Sequence, residues 1–264
     1  MMLFFRRYLE VAMRKAVGLA LTVTLMIGAA GHIPAQSAPD RGPDGQTRTV
    51  VPGIDVPSVP GVPFIGTDTI VRTRPMEGGG SVVTTVTAKV LRDAQGRVYR
   101  ERHHFALPDT DPQKTLYAFY VLDPVAHTRT ECTVAAHKCY TVGYSARAEF
   151  PLQPSGAFDS GKRFLARERL GEQILDNLSL VGTREITTIS PGTVGNDREL
   201  TLTREFWYSP ELRTNISVTR TDPREGTQAI HLAILSRSEP DPGAFAIPAE
   251  YAVVDLRQNI DSRF

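Results

Sequence analysis

The sequence predicts a mostly β protein: one curled antiparallel sheet, open or half closed, with few or short helices. Three observations predict it. From Thr67 onward the apolar residues recur with a period of two, the repeat of a strand with one buried face. Runs rich in valine, threonine and aromatic residues alternate with short turns built from Gly, Pro, Asn and Asp. No stretch keeps a helical period over three turns. Residues 162–175 come nearest, with Phe164, Leu165, Glu168 and Leu170, and Gly171 interrupts them. Open twisted sheets rarely stay flat beyond about 10 strands. A meander of about that many strands is therefore expected to curl and to present an apolar concave face.

The first element is an export signal. Arg14 and Lys15 precede an uncharged apolar run from Ala16 to Ala30, and small residues follow. That is the order of a secretory signal peptide. The run holds about fifteen residues, short of the ~20 a spanning helix needs. Cleavage is expected after Ala30 or Ala38, and residues 1–38 are assigned to the signal; the rival is an uncleaved membrane anchor. A start at Met13 gives the tidier signal. No cysteine stands directly after the apolar run, so lipoprotein processing is not expected. The expected location is periplasmic or secreted.

Residues 39–63 follow as a proline-rich linker. Seven prolines occur from Pro34 to Pro63 inclusive, and this composition predicts an extended, disordered tether. Residues 64–257 form the single β-rich domain, and 258–264 a C-terminal tail. The whole chain carries a formal charge of +1. Residues 1–38 carry +3 (Arg6, Arg7, Arg14 and Lys15 against Glu10), which leaves −2 for the exported chain. A nearly neutral domain has no long-range field to gather polyanions, so nucleic acid is not an expected partner.

Within the domain, Ser81–Leu91 and Arg97–Phe105 flank Asp93-Ala-Gln-Gly96 as a hairpin. Leu116–Leu122 reads as a buried strand that Asp123-Pro124 ends. Cys132 and Cys139 flank a short polar centre, Ala136-His137-Lys138, with an even number of residues between them. Opposed across a hairpin, their Cβ atoms stand about 4.5–5.5 Å apart, close to what a bridge needs. In an oxidising compartment a disulfide is expected, stabilising by roughly 2.5 kcal/mol through loop closure. A redox pair would usually be C-x-x-C, and a zinc site wants about four ligands.

Tyr144–Gly161 is a turn-rich connection. Phe164–Ile174 and Leu178–Ile189 then pair around Asp176-Asn177. Leu200–Tyr208, Leu212–Arg220 and Thr227–Leu235 make a three-strand run, with Ile230, Leu232 and Ile234 on one face, and Tyr251–Val254 closes the domain.

Chemistry-bearing patterns are sparse. His103 and His104 are adjacent and point to opposite faces of a strand; His127, His137 and His231 are scattered. No H-E-x-x-H, G-x-S-x-G, Walker A or G-x-G-x-x-G occurs. Gly78-Gly79-Gly80 lacks the following helix and lysine of a phosphate loop. Asp222 and Glu225 read as turn residues, and Glu239 and Asp241 as surface caps. No catalytic residue, cofactor or metal is assigned. Phe206, Trp207 and Tyr208 are the conspicuous aromatic cluster, either core or ligand-lining. Alternation puts Phe206 and Tyr208 on one face and Trp207 on the other.

Glu205-Phe-Trp-Tyr-Ser-Pro-Glu-Leu212, Asp222-Pro-Arg-Glu-Gly226, Leu232–Pro242 and Phe245-Ala-Ile-Pro-Ala-Glu-Tyr251 resemble a group of uncharacterised secreted bacterial proteins. Gly182-Thr183-Arg184 and Gly195-Asn196-Asp197 extend the match, which covers about residues 115–255. The order of these segments also resembles the LolA-like lipoprotein-carrier superfold. That likeness implies a half-open barrel whose concave face binds acyl chains. The Cys132–Cys139 insertion departs from it. The expected activity is thus a non-catalytic envelope module for an apolar or lipid-like ligand. The alternatives are a structural or protein-interaction module with a fully packed sheet, partnered by other envelope proteins, and third a hydrolase.

Overall fold

The structure, a computed structural model, describes residues 53–106, 110–145 and 154–257. The signal expected at 1–38, the first part of the proline-rich stretch and the tail 258–264 lie outside the described residues. Among the described residues thirteen strands form one sheet. A first antiparallel meander comprises β1 (Phe64–Pro75), β2 (Ser81–Arg92), β3 (Val98–His103), β4 (Leu116–Asp123), β5 (Thr128–Thr133) and β6 (Lys138–Gly143). A second comprises β7 (Gly156–Phe158), β8 (Arg163–Leu175), β9 (Leu178–Ile189), β10 (Leu200–Ser209), β11 (Thr214–Asp222) and β12 (Gly226–Ser236). β13 (Ala252–Asp255) ends the described chain.

The strand order is β13-β6-β5-β4-β3-β2-β1-β12-β11-β10-β9-β8-β7. β12 returns to β1, so the two meanders fuse into one curled sheet. β7 and β13 are left as edges, and the sheet stays unclosed. Among the described residues helix is confined to Pro112–Thr115 and a 3₁₀ turn at Pro242–Phe245. The sequence predicted about ten strands; the surplus lies in short or edge pieces such as β7, whose 3 residues are too few to show a period.

The turns follow from residue chemistry. β8 and β9 are joined by Asp176 and Asn177, both with positive φ (52° and 61°). These are the residue types that tolerate the left-handed region in a two-residue hairpin. Of residues 162–175, Arg163–Leu175 are strand, and Leu170 is the extra residue of a bulge where the register with β9 shifts between Arg169 and Gly171. β13 departs from the meander, because it pairs with β6 in parallel, Val253 beside Cys139.

The sheet has two apolar faces. Along β4, Tyr120 and Leu122 join the main core cluster, while Phe119 and Val121 join smaller clusters on the other face. The main cluster runs through Phe64, Ile70, Val86, Val90, Val98, Val218, Ile230 and Leu232. We call this the inner face. On the outer face Leu91 and Val121 lie under Phe245, and Phe119 and the two cysteines pack with Tyr99, Ile247 and Tyr251. Phe119 meets Tyr99 and Tyr251 with ring centroids 5.8 and 5.5 Å apart. The segment from Pro242 to Tyr251 therefore covers the back of β2–β6.

Cys132 and Cys139 are directly opposed across β5 and β6 and form a disulfide, Cα–Cα 4.0 Å. The turn between the strands is Val134–His137, with His137 at positive φ (45°). Lys138, expected in the turn, begins β6 instead.

Candidate functional site: the inner face of the sheet

The tether expected over residues 39–63 is not a tether at its C-terminal end. Ile54 and Val56 are 2% and 1% exposed and belong to the main core cluster. The physical reason is spacing: Ile54, Val56 and Ser58 alternate with Asp55 and Pro57, so an extended strand presents one apolar edge. Proline content blocks ladder hydrogen bonds but does not prevent an extended segment from docking by its side chains. Residues 53–62 thus form a strap across one end of the inner face.

Polar side chains from the sheet bind the strap's backbone. Asp68 of β1 accepts from the Ile54 N–H at 3.1 Å and pairs with Arg100 of β3, which donates to the Ile54 carbonyl. Both side chains are buried, at 0% and 3% exposure for the residues. Burial pushes the Asp68 carboxyl up, against the pull of Arg100 and the Ile54 N–H. Burial alone would lower Arg100, but Asp68 and Tyr120 hold it above its ordinary value. The arginine therefore keeps its charge, and the carboxylate is the partner more readily neutralised.

Arg92, fully buried at the end of β2, donates to Val62 O (2.9 Å), Pro57 O (3.2 Å) and Leu212 O (2.6 Å). Its guanidinium lies 4.9 Å from the Phe64 ring centroid. Burial lowers its pKa to about 10, with Arg213 adding to the shift, so it is still a cation at neutral pH. Ser58 donates to the Gly96 carbonyl, and Gly61 N–H donates to Ala94 O at 2.9 Å. A Cβ at Gly96 would stand 3.0 Å from Pro60 N. A Cβ at Gly53 would collide with Arg100 and Asp68. Both glycines are required by the closeness of the strap.

Beyond the strap the same face changes character. One row reads Phe206, Val218, Ile230, Ile70 and Val86 across β10, β11, β12, β1 and β2. The next row reads Arg167, Glu185, Arg204, Arg220, Gln228 and Arg72 across β8 to β1. Arg204 and Arg220 are directly opposed. Glu185 pairs with Arg167 at 2.6 Å and lies 3.9 Å from Arg204. Arg72 reaches Glu225 at 3.0 Å. The inner face therefore has an apolar zone and, two residues further along each strand, a basic row.

Along β10 the pairing with β9 is unbroken through the aromatic cluster, Phe206 beside Thr183, Trp207 beside Gly182 and Tyr208 beside Val181. Phe206 and Trp207 both pack against the main cluster, and Phe206 and Trp207 are half-buried, as is Tyr208. The register with β11 shifts between Trp207 and Tyr208, where Ile216 is the extra residue. Trp207 lies over Gly182, where a Cβ would meet its ring at 2.6 Å. The expected faces of Ile230, Leu232 and Ile234 hold, with Leu232 at 0% exposure.

The described histidines do not converge. His103 contacts Thr115 and Glu101, His104 stacks on Tyr117 at 4.4 Å, and His231 meets Asp176 at 2.9 Å. Among the described residues no group of three or more His, Cys, Asp or Glu is placed to hold a metal ion. No helix among them is long and apolar enough to cross a membrane.

Sequence reasoning missed Asp68, Arg92, Arg100 and the arginine row. A signal was present: Asp68-x-Ile70-x-Arg72, Val218-x-Arg220 and Arg204-x-Phe206 put charges at the parity of the apolar face.

No protein-family model and no curated protein matches the sequence. Solved structures do resemble it. An uncharacterised conserved protein from Thermus thermophilus is 9% identical, over 72% of this chain and 90% of that one, TM-score 0.38. The Mycobacterium tuberculosis lipoprotein LppX is 9% identical, over 68% and 90%, TM-score 0.30. A LolA superfamily protein from Nitrosomonas europaea is 10% identical, over 71% and 91%, TM-score 0.28. These are loose likenesses at low sequence identity.

Proposed function

We propose that the chain is an exported, non-catalytic envelope module that binds an apolar or amphipathic ligand on the inner face of its sheet. One observation carries the reading. Among the described residues the inner face is a single curved layer with no second sheet or helical layer over it, and one irregular strap covers only its end. Phe206, Trp207, Ile234 and Phe105 stand only partly buried around its cluster. Burial of such side chains by a ligand contributes about 25 cal/mol per Å² without directional demands. Residues 1–38 supply the export part of the proposal through their charged, apolar and small-residue order.

A structural or protein-interaction module is the second reading. Leu232, Ile216 and Leu212 are at 0% exposure, packing that needs no ligand. Native mass spectrometry of protein purified from the cell envelope separates the two. Co-purified lipid that detergent exchange removes supports the binding reading. A single ligand-free mass, together with no uptake from mixed-lipid vesicles, sinks it in favour of the packed module.

A further inference from the structure

The β1–β2 hairpin reaches past the strands beside it. β12 pairs with β1 only as far as Thr73, and β3 pairs with β2 only from Val90 to Arg92, with one further bridge from Thr85 to Ala106. From Arg74 to Val83 the two strands therefore have, among the described residues, no sheet partner but each other, and every residue of that stretch is exposed. Arg74 stands opposite Val82, and Pro75 opposite Ser81. Gly78, Gly79 and Gly80 make the turn at φ of 84°, 98° and 82°, so no bulky side chain caps the apex. The turn closes on itself: the Met76 N–H donates to Gly80 O and the Gly79 N–H to Met76 O, both at 3.2 Å.

Met76 is 49% exposed, and Val82 and Val83 are 43% exposed each. Single exposed hydrophobic residues such as Val125 and Leu235 are ordinary on a surface, but a cluster of them in one hairpin tip marks a contact. Neighbouring residues of a strand point to opposite faces, so Val82 and Val83 make both faces of the ribbon apolar. Projecting strands are normally protected by charge, yet Arg74 and Glu77 are the only charges from Arg74 to Val83, and they cancel. A partner protein laid against one face leaves the valine of the other face in water. A lipid bilayer surrounds the tip and takes both. The outward N–H and C=O groups along the ribbon's edges still need water or headgroups as partners, and Pro75 has no N–H to satisfy. Insertion therefore stops in the headgroup zone, about two residues or 7 Å deep.

We propose that Met76, Val82 and Val83 dock the protein on the interfacial zone of a lipid bilayer. Phe64 pairs with Arg92, which holds the strap, at the opposite end of the same two strands. Docking therefore puts the end of β1 and β2 farthest from the strap against the membrane. The docking stands without the binding reading above; joined to that reading, it brings the ligand face end-on to the bilayer that supplies an apolar ligand.

The test uses the exported chain, residues 39–264, and vesicles of phosphatidylcholine with and without phosphatidylglycerol. The protein is expected to float with both, and to keep floating in high salt, because the tip carries no net charge. Val82→Ser/Val83→Ser, at exposed positions, keeps the melting temperature and lowers the partition coefficient about tenfold. A polarity-sensitive fluorophore on Ser81→Cys, with Cys132 and Cys139 bridged, shifts to the blue when vesicles are added. Absence of flotation overturns the docking, while lipid found by native mass spectrometry still supports the binding reading, so the two fail separately. Flotation that the double serine variant retains in full places the contact elsewhere and overturns the tip. Flotation confined to phosphatidylglycerol vesicles and abolished by salt overturns apolar docking in favour of adsorption by charge. A dimer seen by sedimentation without vesicles and lost in the double serine variant makes a second copy the occupant and overturns the bilayer.

Discussion

Asp68 and Arg100 show how one buried pair fixes a segment that composition marks as loose. The carboxylate and the guanidinium bracket both backbone groups of Ile54. Asp68→Asn removes the carboxylate paired with the buried Arg100, and breaking such a pair costs about 3–5 kcal/mol. Urea denaturation at neutral pH should show that loss, and Asp68→Leu combined with Arg100→Met should recover a large part of it, because an apolar pair removes both charges. Glu101 gives a pH-dependent counterpart. Burial pushes its carboxyl up, but hydrogen bonds from His103, the Lys89 N–H and Tyr99 outweigh that, and its pKa falls below the ordinary 4.5. A depressed folded pKa contributes stability that is present above the unfolded value and lost as pH falls through the folded one. The stability gap between the protein and Glu101→Gln should be full above pH 4.5 and close below it. Parallel urea titrations at neutral and strongly acid pH measure the gap. A gap that widens in acid would contradict the assignment.

At the scale of elements, β12 is the strand on which the packing argument turns. Ile230, Leu232 and Ile234 face the main cluster, and Leu232 is fully buried between β1 and β11. Leu232→Ala should cost about 2–5 kcal/mol, as large-to-small changes in packed core do. A melting temperature unchanged in ligand-free protein would instead place Leu232 on a ligand surface. Most elements of this kind were legible in the sequence. Turn residues such as Asp176-Asn177 and Asp222–Gly226 punctuate the strands, and period two marks their faces. The cysteine hairpin was legible too, since an even spacing opposes Cys132 to Cys139. What alternation could not give was the bulge at Ile216, because it depends on the pairing of β11 with β10, which is chosen only in the folded sheet.

At the scale of the molecule, the strap decides where the folded unit begins. Its residues are bolted to β1, β2, β3 and the β2–β3 turn. Limited proteolysis should leave a stable fragment whose N-terminus lies before Ile54, whereas a free linker through Pro63 predicts one starting near Phe64. N-terminal sequencing of the core fragment distinguishes them. A fragment beginning at Phe64 with unaltered stability would show that the strap contributes little to the fold.

The sequence by itself determined the strand count to within a few, the curl, the disulfide and the lack of any recognisable catalytic motif. These rest on local rules: side-chain parity, turn chemistry and the spacing of residues close in the chain. Only the tertiary structure decided that β12 returns to β1, that residues 53–62 dock on the inner face and that Arg72, Arg167, Arg204 and Arg220 align in one row. Those features join residues far apart in the chain, such as Asp68 with Arg100 (32 positions), Ser58 with Gly96 (38) and Arg72 with Glu225 (153). They depend on strand register between distant segments, and register is set by the burial of whole faces at once.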